Sequence, residues 1–202
     1  MQRAMRFYVR FVDAINYRIG RLMMYGLFVM MAILLWSSIS KTFFLPSLWT
    51  LEMAQFAMVA YYIMGGPYSI QLGSNVRMDL FYHNWSARKK ASFDAFTVFF
   101  LIFYLCVLFY GAIGSSAYSL GHFGAEPFAF YGDLIGAFIT KGPQGAAEVL
   151  GRLERSPTAW RPYLWPIKLV IMFGVFLMLL QSVSELFKDI ARIRGYETGE
   201  TA

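Results

Sequence analysis

Apolar residues run along this chain in four long blocks, 19–40, 53–72, 95–115 and 166–186, with the charges gathered between them. A helix needs about 20 residues to cross the hydrocarbon core of a bilayer, and each block meets that length. The pattern predicts an all-α integral membrane protein whose four transmembrane helices form one membrane domain over residues 1–202. Residues 1–18 show a different period. Arg3, Arg6, Arg10, Asp13, Tyr17 and Arg21 recur every three or four positions, with Met5, Tyr8, Val9, Val12, Ile15 and Ile19 on the opposite face. This is the pattern of an amphipathic helix lying in the membrane interface before the chain turns inward near Gly20; the alternative is a continuous extension of the first span into the cytoplasm, since no Gly or Pro breaks the helix before Gly20.

Residues 120–165, between the third and fourth blocks, are too broken by Gly and Pro for another span and too apolar for a solvated linker. Two short amphipathic helices are expected there. Phe128, Tyr131, Leu134, Ile135, Phe138 and Ile139 form one apolar face, starting after Pro127 and stopping at Gly142-Pro143. Ala146, Val149, Leu150 and Leu153 form a second, with Glu148 and Arg152 four apart on its polar side.

Composition agrees with a bilayer as the main solvent: 58% of residues are hydrophobic and 15% charged. The charge sign sets an orientation, because Lys and Arg near span ends are retained in the cytoplasm. Arg3, Arg6, Arg10, Arg18, Arg21, Arg77, Arg88, Lys89, Lys90, Lys188, Arg192 and Arg194 fall on one side. Only Lys41, Lys141, Arg152, Arg155, Arg161 and Lys168 fall on the other. Both termini are therefore expected in the cytoplasm and 120–165 outside it. The net charge of +6 suits anionic lipid headgroups and calls for no nucleic acid.

The blocks carry little chemistry. Their cores hold no Lys, Arg, Asp or His, and Glu52 and Glu185 fall near span ends, where carboxylates are expected to reach water. Charged residues inside spans mark ion and substrate routes, so this chain alone is expected to be neither pump, channel nor carrier. Gly65-Gly66-Pro67 is read as a packing notch. Gly20 and Gly26 in the first block, and Gly111, Gly114 and Ser115 in the third, allow close helix approach. Cys106 is expected to be a small buried apolar side chain. His83 and His122 fall at opposite membrane faces, too far apart to clamp a metal or haem. No catalytic constellation or cofactor site emerges, and the chain is not expected to be an enzyme.

Its recognisable residues lie at the block ends. Leu51-Glu52 opens the second block and Gly73-Ser74-Asn75-Val76-Arg77-Met78-Asp79 closes it. Ser156-Pro157-Thr158-Ala159-Trp160 and Pro166-Ile167-Lys168 lead into the fourth, which carries Gln181 late in its length. In order and spacing these resemble the small, DctQ-like membrane subunit of tripartite ATP-independent periplasmic (TRAP) transporters, over nearly the whole chain. One departure is Asn75, where the family often has His: it keeps a hydrogen-bonding side chain and loses a titratable one.

The resemblance implies a scaffold subunit in the bacterial inner membrane, surrounded by lipid and without a cofactor of its own. It would pack on the static part of a large multi-span elevator subunit that takes up an organic acid on a sodium gradient. A periplasmic substrate-binding protein would deliver that acid through transient docking. Glu52, Asn75, Arg77, Asp79, Lys168 and Gln181 become candidates for subunit contacts, Arg77 and Asp79 toward different groups because positions two apart do not share a helix face. Arg152 and Arg155 become candidates for docking. Two other classes remain open at this point: the membrane anchor of a redox complex, and a scaffold without a transport partner.

Overall fold

The computed structural model describes residues 2–73 and 87–194. Six helices are found among them: α1 (Gln2–Met24), α2 (Gly26–Phe43), α3 (Thr50–Gln71), α4 (Ala87–Ser119), α5 (Pro127–Val149) and α6 (Trp165–Ile193). Three helical stretches are long and apolar enough to cross a membrane: Arg3–Phe43, Ser92–Ser119 and Trp165–Ile193. The expected second span is the 22-residue α3, a helix that falls short of the same apolarity. Its composition explains this, since Glu52, Gln55, Gln71 and the Gly65-Gly66 pair dilute its apolar residues.

The chain divides into two compact units. The first comprises Met1–Tyr25, Tyr62–Val107 and Gly174–Ala202. Here α1 continues through Gly20, the expected turning point, and is interrupted only at Tyr25, whose N–H donates to the Leu22 carbonyl three residues back (3.1 Å). Gly20 is a contact rather than a break: a Cβ there would lie 2.3 Å from Cγ of Tyr68. The faces of α1 divide as the sequence pattern predicts, with Met5, Tyr8, Val9, Val12, Ile15 and Ile19 sheltered and Arg3, Arg6, Arg10, Tyr17 and Arg21 exposed, but the inner face meets protein. Val12 and Asn16 are buried, Tyr8 meets the Phe187 ring edge-on at 5.6 Å, and Phe7 and Phe11 stack on the free surface. The helix spends its inner face on protein and leaves two large aromatics outside.

Two further close approaches hold this unit. A Cβ on Gly66 would sit 2.7 Å from the Met178 sulfur, and one on Gly174 would sit 2.3 Å from Cγ2 of Ile63. Pro67 is fully buried beside this notch, and α3 continues past it to Gln71.

The second unit comprises Gly26–Tyr61 and Leu108–Phe173. Its core joins Ala117 and Leu120 at the end of α4 to Phe130 of α5, covered by Tyr131, Leu134, Val149, Leu150, Leu153 and Trp165. Helix α5 begins at Pro127, where a missing N–H leaves no helical bond unmade. It kinks at Gly142, whose φ of 69° is a left-handed value that glycine adopts without strain. The single apolar face expected over residues 128–139 is split: Tyr131 and Leu134 pack inward, whereas Phe128, Ile135, Phe138 and Ile139 are exposed. The expected second helix is cut short at Val149, since Leu150 is already extended. Arg152 therefore lies beyond any helix and cannot pair with Glu148, which meets Lys141 instead at 3.0 Å.

Exposure corrects one further expectation and leaves a second without a contact inside the chain. Cys106 is exposed, not buried. Gly111 and Gly114 would present a Cβ to open space, so they make no close approach within the chain.

Candidate functional site

Among the described residues the charged side chains with buried partners gather mainly in two places, one in each unit. In the first unit, α6 carries Gln181, Ser184, Glu185 and Lys188 at helical spacing, and α1 carries Asp13 and Asn16 three apart. Gln181 is the hub, with no exposed surface. Its Nε2 donates to Asp13 Oδ1 (2.9 Å) and Glu185 Oε1 (3.0 Å), and its Oε1 accepts from Asn16 Nδ2 (2.7 Å). Ser184 Oγ also donates to Asp13 Oδ1 at 3.0 Å. Lys188 sits between two carboxylates, 2.8 Å from Asp13 Oδ2 and 2.8 Å from Glu185 Oε1. Gln71 Nε2 adds a bond to the Asp13 backbone carbonyl (3.3 Å).

Asp13 is half-buried, and a cation and several donors compensate the hydration its carboxylate loses. Of this group the sequence singles out only Gln181. It places Asp13 on the solvent-facing side of α1 and Glu185 in reach of water. The available signal was a polar stripe at 181, 184, 185 and 188 in an otherwise apolar helix, which needs a polar stripe opposite.

In the second unit the corresponding feature is a hairpin. Gly151 lies backbone to backbone against Gly121, its N–H donating to the Leu120 carbonyl (3.1 Å), and Glu154 N–H donates to the Ser119 carbonyl (3.1 Å). The chain then doubles back through an antiparallel bridge between Arg155 and Tyr163. Ser156 N–H donates to the Pro162 carbonyl (2.9 Å), and Leu164 N–H to that of Glu154 (3.2 Å). Lys168 pairs with Glu154 at 2.5 Å and lies over the Tyr118 ring.

Glu52 is 4% exposed, against the expectation that it reaches water. The hairpin itself buries it, with Ser156 Oγ donating to Glu52 Oε1 at 3.2 Å. Arg155 is committed too: its guanidinium lies 4.4 Å over the Tyr163 ring and donates to the phenol oxygen. Arg152 and Arg161 are exposed.

Asn75, Arg77, Asp79 and His83 lie outside the described residues. His122 stacks on Phe130 at 4.8 Å, with Nε2 lacking a hydrogen-bond partner among the described residues. Among those residues no three His, Cys, Asp or Glu side chains gather as a metal set. A chain of hydroxyls, Ser37, Thr50, Ser47 and Ser40, ties the end of α2 to the start of α3. Beside it lies an open cleft of about 720 Å³ lined by Trp36, Phe44, Leu45 and Trp49. Both gatherings hold helices and loops in place.

Long apolar helices around two pinned polar clusters define a multi-pass helical membrane protein. A family model described as "Tripartite ATP-independent periplasmic transporters, DctQ component" matches residues 30–192. The chain belongs to this family, and is accordingly the small membrane subunit of a TRAP transporter in the inner membrane, with a large membrane subunit and a binding protein as the other two components. Neither a curated protein nor a solved structure matches it.

Proposed function

We propose that the chain crosses the membrane four times, with α3 as the additional span, and serves as a static wall for the large subunit during sodium-driven uptake of an organic acid. At ~1.5 Å per residue a helix of α3's length reaches across the hydrocarbon core. Both termini and the 74–86 connection face the cytoplasm, and the 154–164 hairpin faces the periplasm. The basic residues that flank the spans support this orientation.

The observation that carries the reading is how much apolar helix surface the chain leaves uncovered. None of the most apolar window of Arg3–Phe43 is buried, and Phe28, Met31, Leu35 and Trp36 of α2 are exposed. Gly111, Gly114 and Ser115 form a small-residue face of α4 with open space before both glycines. In a bilayer a lipid-facing helix needs no small residues, whereas a helix meeting another helix uses them for close contact. Asn75, Arg77 and Asp79 are assigned to contacts with the large subunit. Glu52, Lys168 and Gln181 act indirectly, by holding the frame. Arg152 belongs to the basic rim offered to the binding protein, and Arg155, held by Tyr163, serves that docking by shaping the hairpin.

Co-purification tests the assembly. Tagged small subunit should retain the large subunit from native membranes, and Arg77→Ala or Asp79→Ala should reduce complex yield and uptake without changing the binding protein's affinity for substrate. Wild-type yield and uptake in both variants would reject these contacts.

A further inference from the structure

The tip of the hairpin, 157–161, is exposed throughout, and it ends in two consecutive exposed residues, Trp160, 41% exposed, and Arg161. Arg161 has φ of 52° and is the one non-glycine residue with positive φ among the described residues. A β-carbon disfavours that conformation, and such outliers persist only where the surroundings impose them. The surroundings here are rigid. The hairpin root is fixed by the Arg155–Tyr163 bridge, the Glu154–Lys168 ion pair and the hydrogen bond from Ser156 to buried Glu52. Four polar or charged groups are thus spent on holding a five-residue tip in a strained shape.

We infer that Trp160 and Arg161 form a docking finger for an acidic patch on the periplasmic substrate-binding protein. The inference rests on the subunit reading above and names the contact that reading leaves open. Three observations select this partner. First, the root acids are spoken for, Glu154 by Lys168 and Glu148 by Lys141, so the exposed guanidiniums of Arg152 and Arg161 leave the rim cationic. Second, Trp and Arg are the residue types that concentrate binding energy at protein interfaces. Third, a pre-shaped tip lowers the entropy lost on rigid docking, an advantage that a fluid headgroup layer does not exploit. Arg155 is a positioning residue here, because its guanidinium is held by Tyr163.

The test measures binding of the transporter's own binding protein to the complex of large and small subunits in nanodiscs of zwitterionic lipid. Arg161→Gly is the decisive variant. Glycine relieves the positive φ while deleting the charge, so weakened binding cannot be ascribed to a misfolded loop. Both Arg161→Gly and Trp160→Ala should raise Kd about tenfold, and Arg161→Gly should flatten the salt dependence, while Arg161→Lys retains most affinity and all variants keep subunit yield. Unchanged Kd in Arg161→Gly and Trp160→Ala, beside measurable wild-type binding, overturns the finger and leaves the subunit reading standing. A defect that appears only in nanodiscs containing anionic lipid assigns the tip to the membrane instead. Absence of binding by the wild-type complex overturns both.

Discussion

Replacing Gln181 by Leu keeps the volume of the α6 hub and removes its amide, which isolates the worth of the polar cluster. Three side-chain bonds vanish, to Asp13, Glu185 and Asn16. The partners are not equally hurt. Asp13 keeps Ser184 and Lys188, and Glu185 keeps Lys188. Asn16, 1% exposed, loses the acceptor of its Nδ2. A buried donor left unsatisfied costs about 1–3 kcal/mol. Side-chain bonds inside membrane proteins average near 0.6 kcal/mol, so the two losses at still-paired carboxylates add roughly 1 kcal/mol. Leu returns part of this through apolar contact, leaving an expected destabilisation of about 2 kcal/mol.

The assay is unfolding of the purified chain in mixed micelles with rising dodecyl sulfate, followed by helical circular dichroism. A double variant sharpens it. Asn16→Leu with Gln181→Leu removes donor and acceptor together, and should be less destabilised than the sum of the singles by about 1 kcal/mol, because no orphan remains. Strict additivity, or a Gln181→Leu midpoint indistinguishable from wild type, would refute the hub.

Other outcomes follow from the same structure. Gly174→Val should destabilise the isolated chain by several kcal/mol in that assay, since its β-carbon would strike Ile63, whereas Gly111→Ala and Gly114→Ala should leave it unchanged yet lower the yield of the two-subunit complex. In a Cys106→Ser background, Arg88→Cys should react with an impermeant thiol reagent only from the cytoplasmic side; labelling from the periplasm would invert the topology. Glu52→Gln should preserve the Ser156 bond and uptake, while Glu52→Ala frees the hairpin and exposes 156–162 to proteolysis. Burial raises the Tyr131 phenol above its ordinary 10.0, a shift partly opposed by its hydrogen bond to Ser116 (2.6 Å). Its contribution to stability is therefore complete below pH 10 and is lost as pH rises through the folded value, so its absorbance titration should lag that of a free phenol.

Local chemistry was legible in the sequence wherever the backbone itself decides the outcome. Pro127 can start a helix and Gly142 can break one without help from neighbours, and both do so. Partners chosen across the fold were not legible. Glu148 pairs with Lys141 because the helix ends before Arg152 is reached, a boundary set by Leu150 and Leu153 packing on the core. Glu52 reads as a water-facing carboxylate until a hairpin about a hundred residues later covers it. Asp13 shares a helical stripe with arginines, and nothing local shows that α6 offers it a lysine and an amide. The glycines divided in two: Gly20, Gly66 and Gly174 make contacts inside the chain, while Gly111 and Gly114 face outward. Spacing alone does not distinguish these uses.

The Gly121–Gly151 contact carries a consequence for how this family can vary in length. The backbone enters α5 at one glycine and leaves at the other, and the two touch, so the residues between them form a cassette whose ends already meet. Residues of that cassette that do not pack on Ala117, Leu120 and Trp165 could be removed or added without moving the junction, because neither end has to move to close the gap. The junction tolerates almost no side chain, and that intolerance is what brings the two ends together: a β-carbon on either glycine would force them apart.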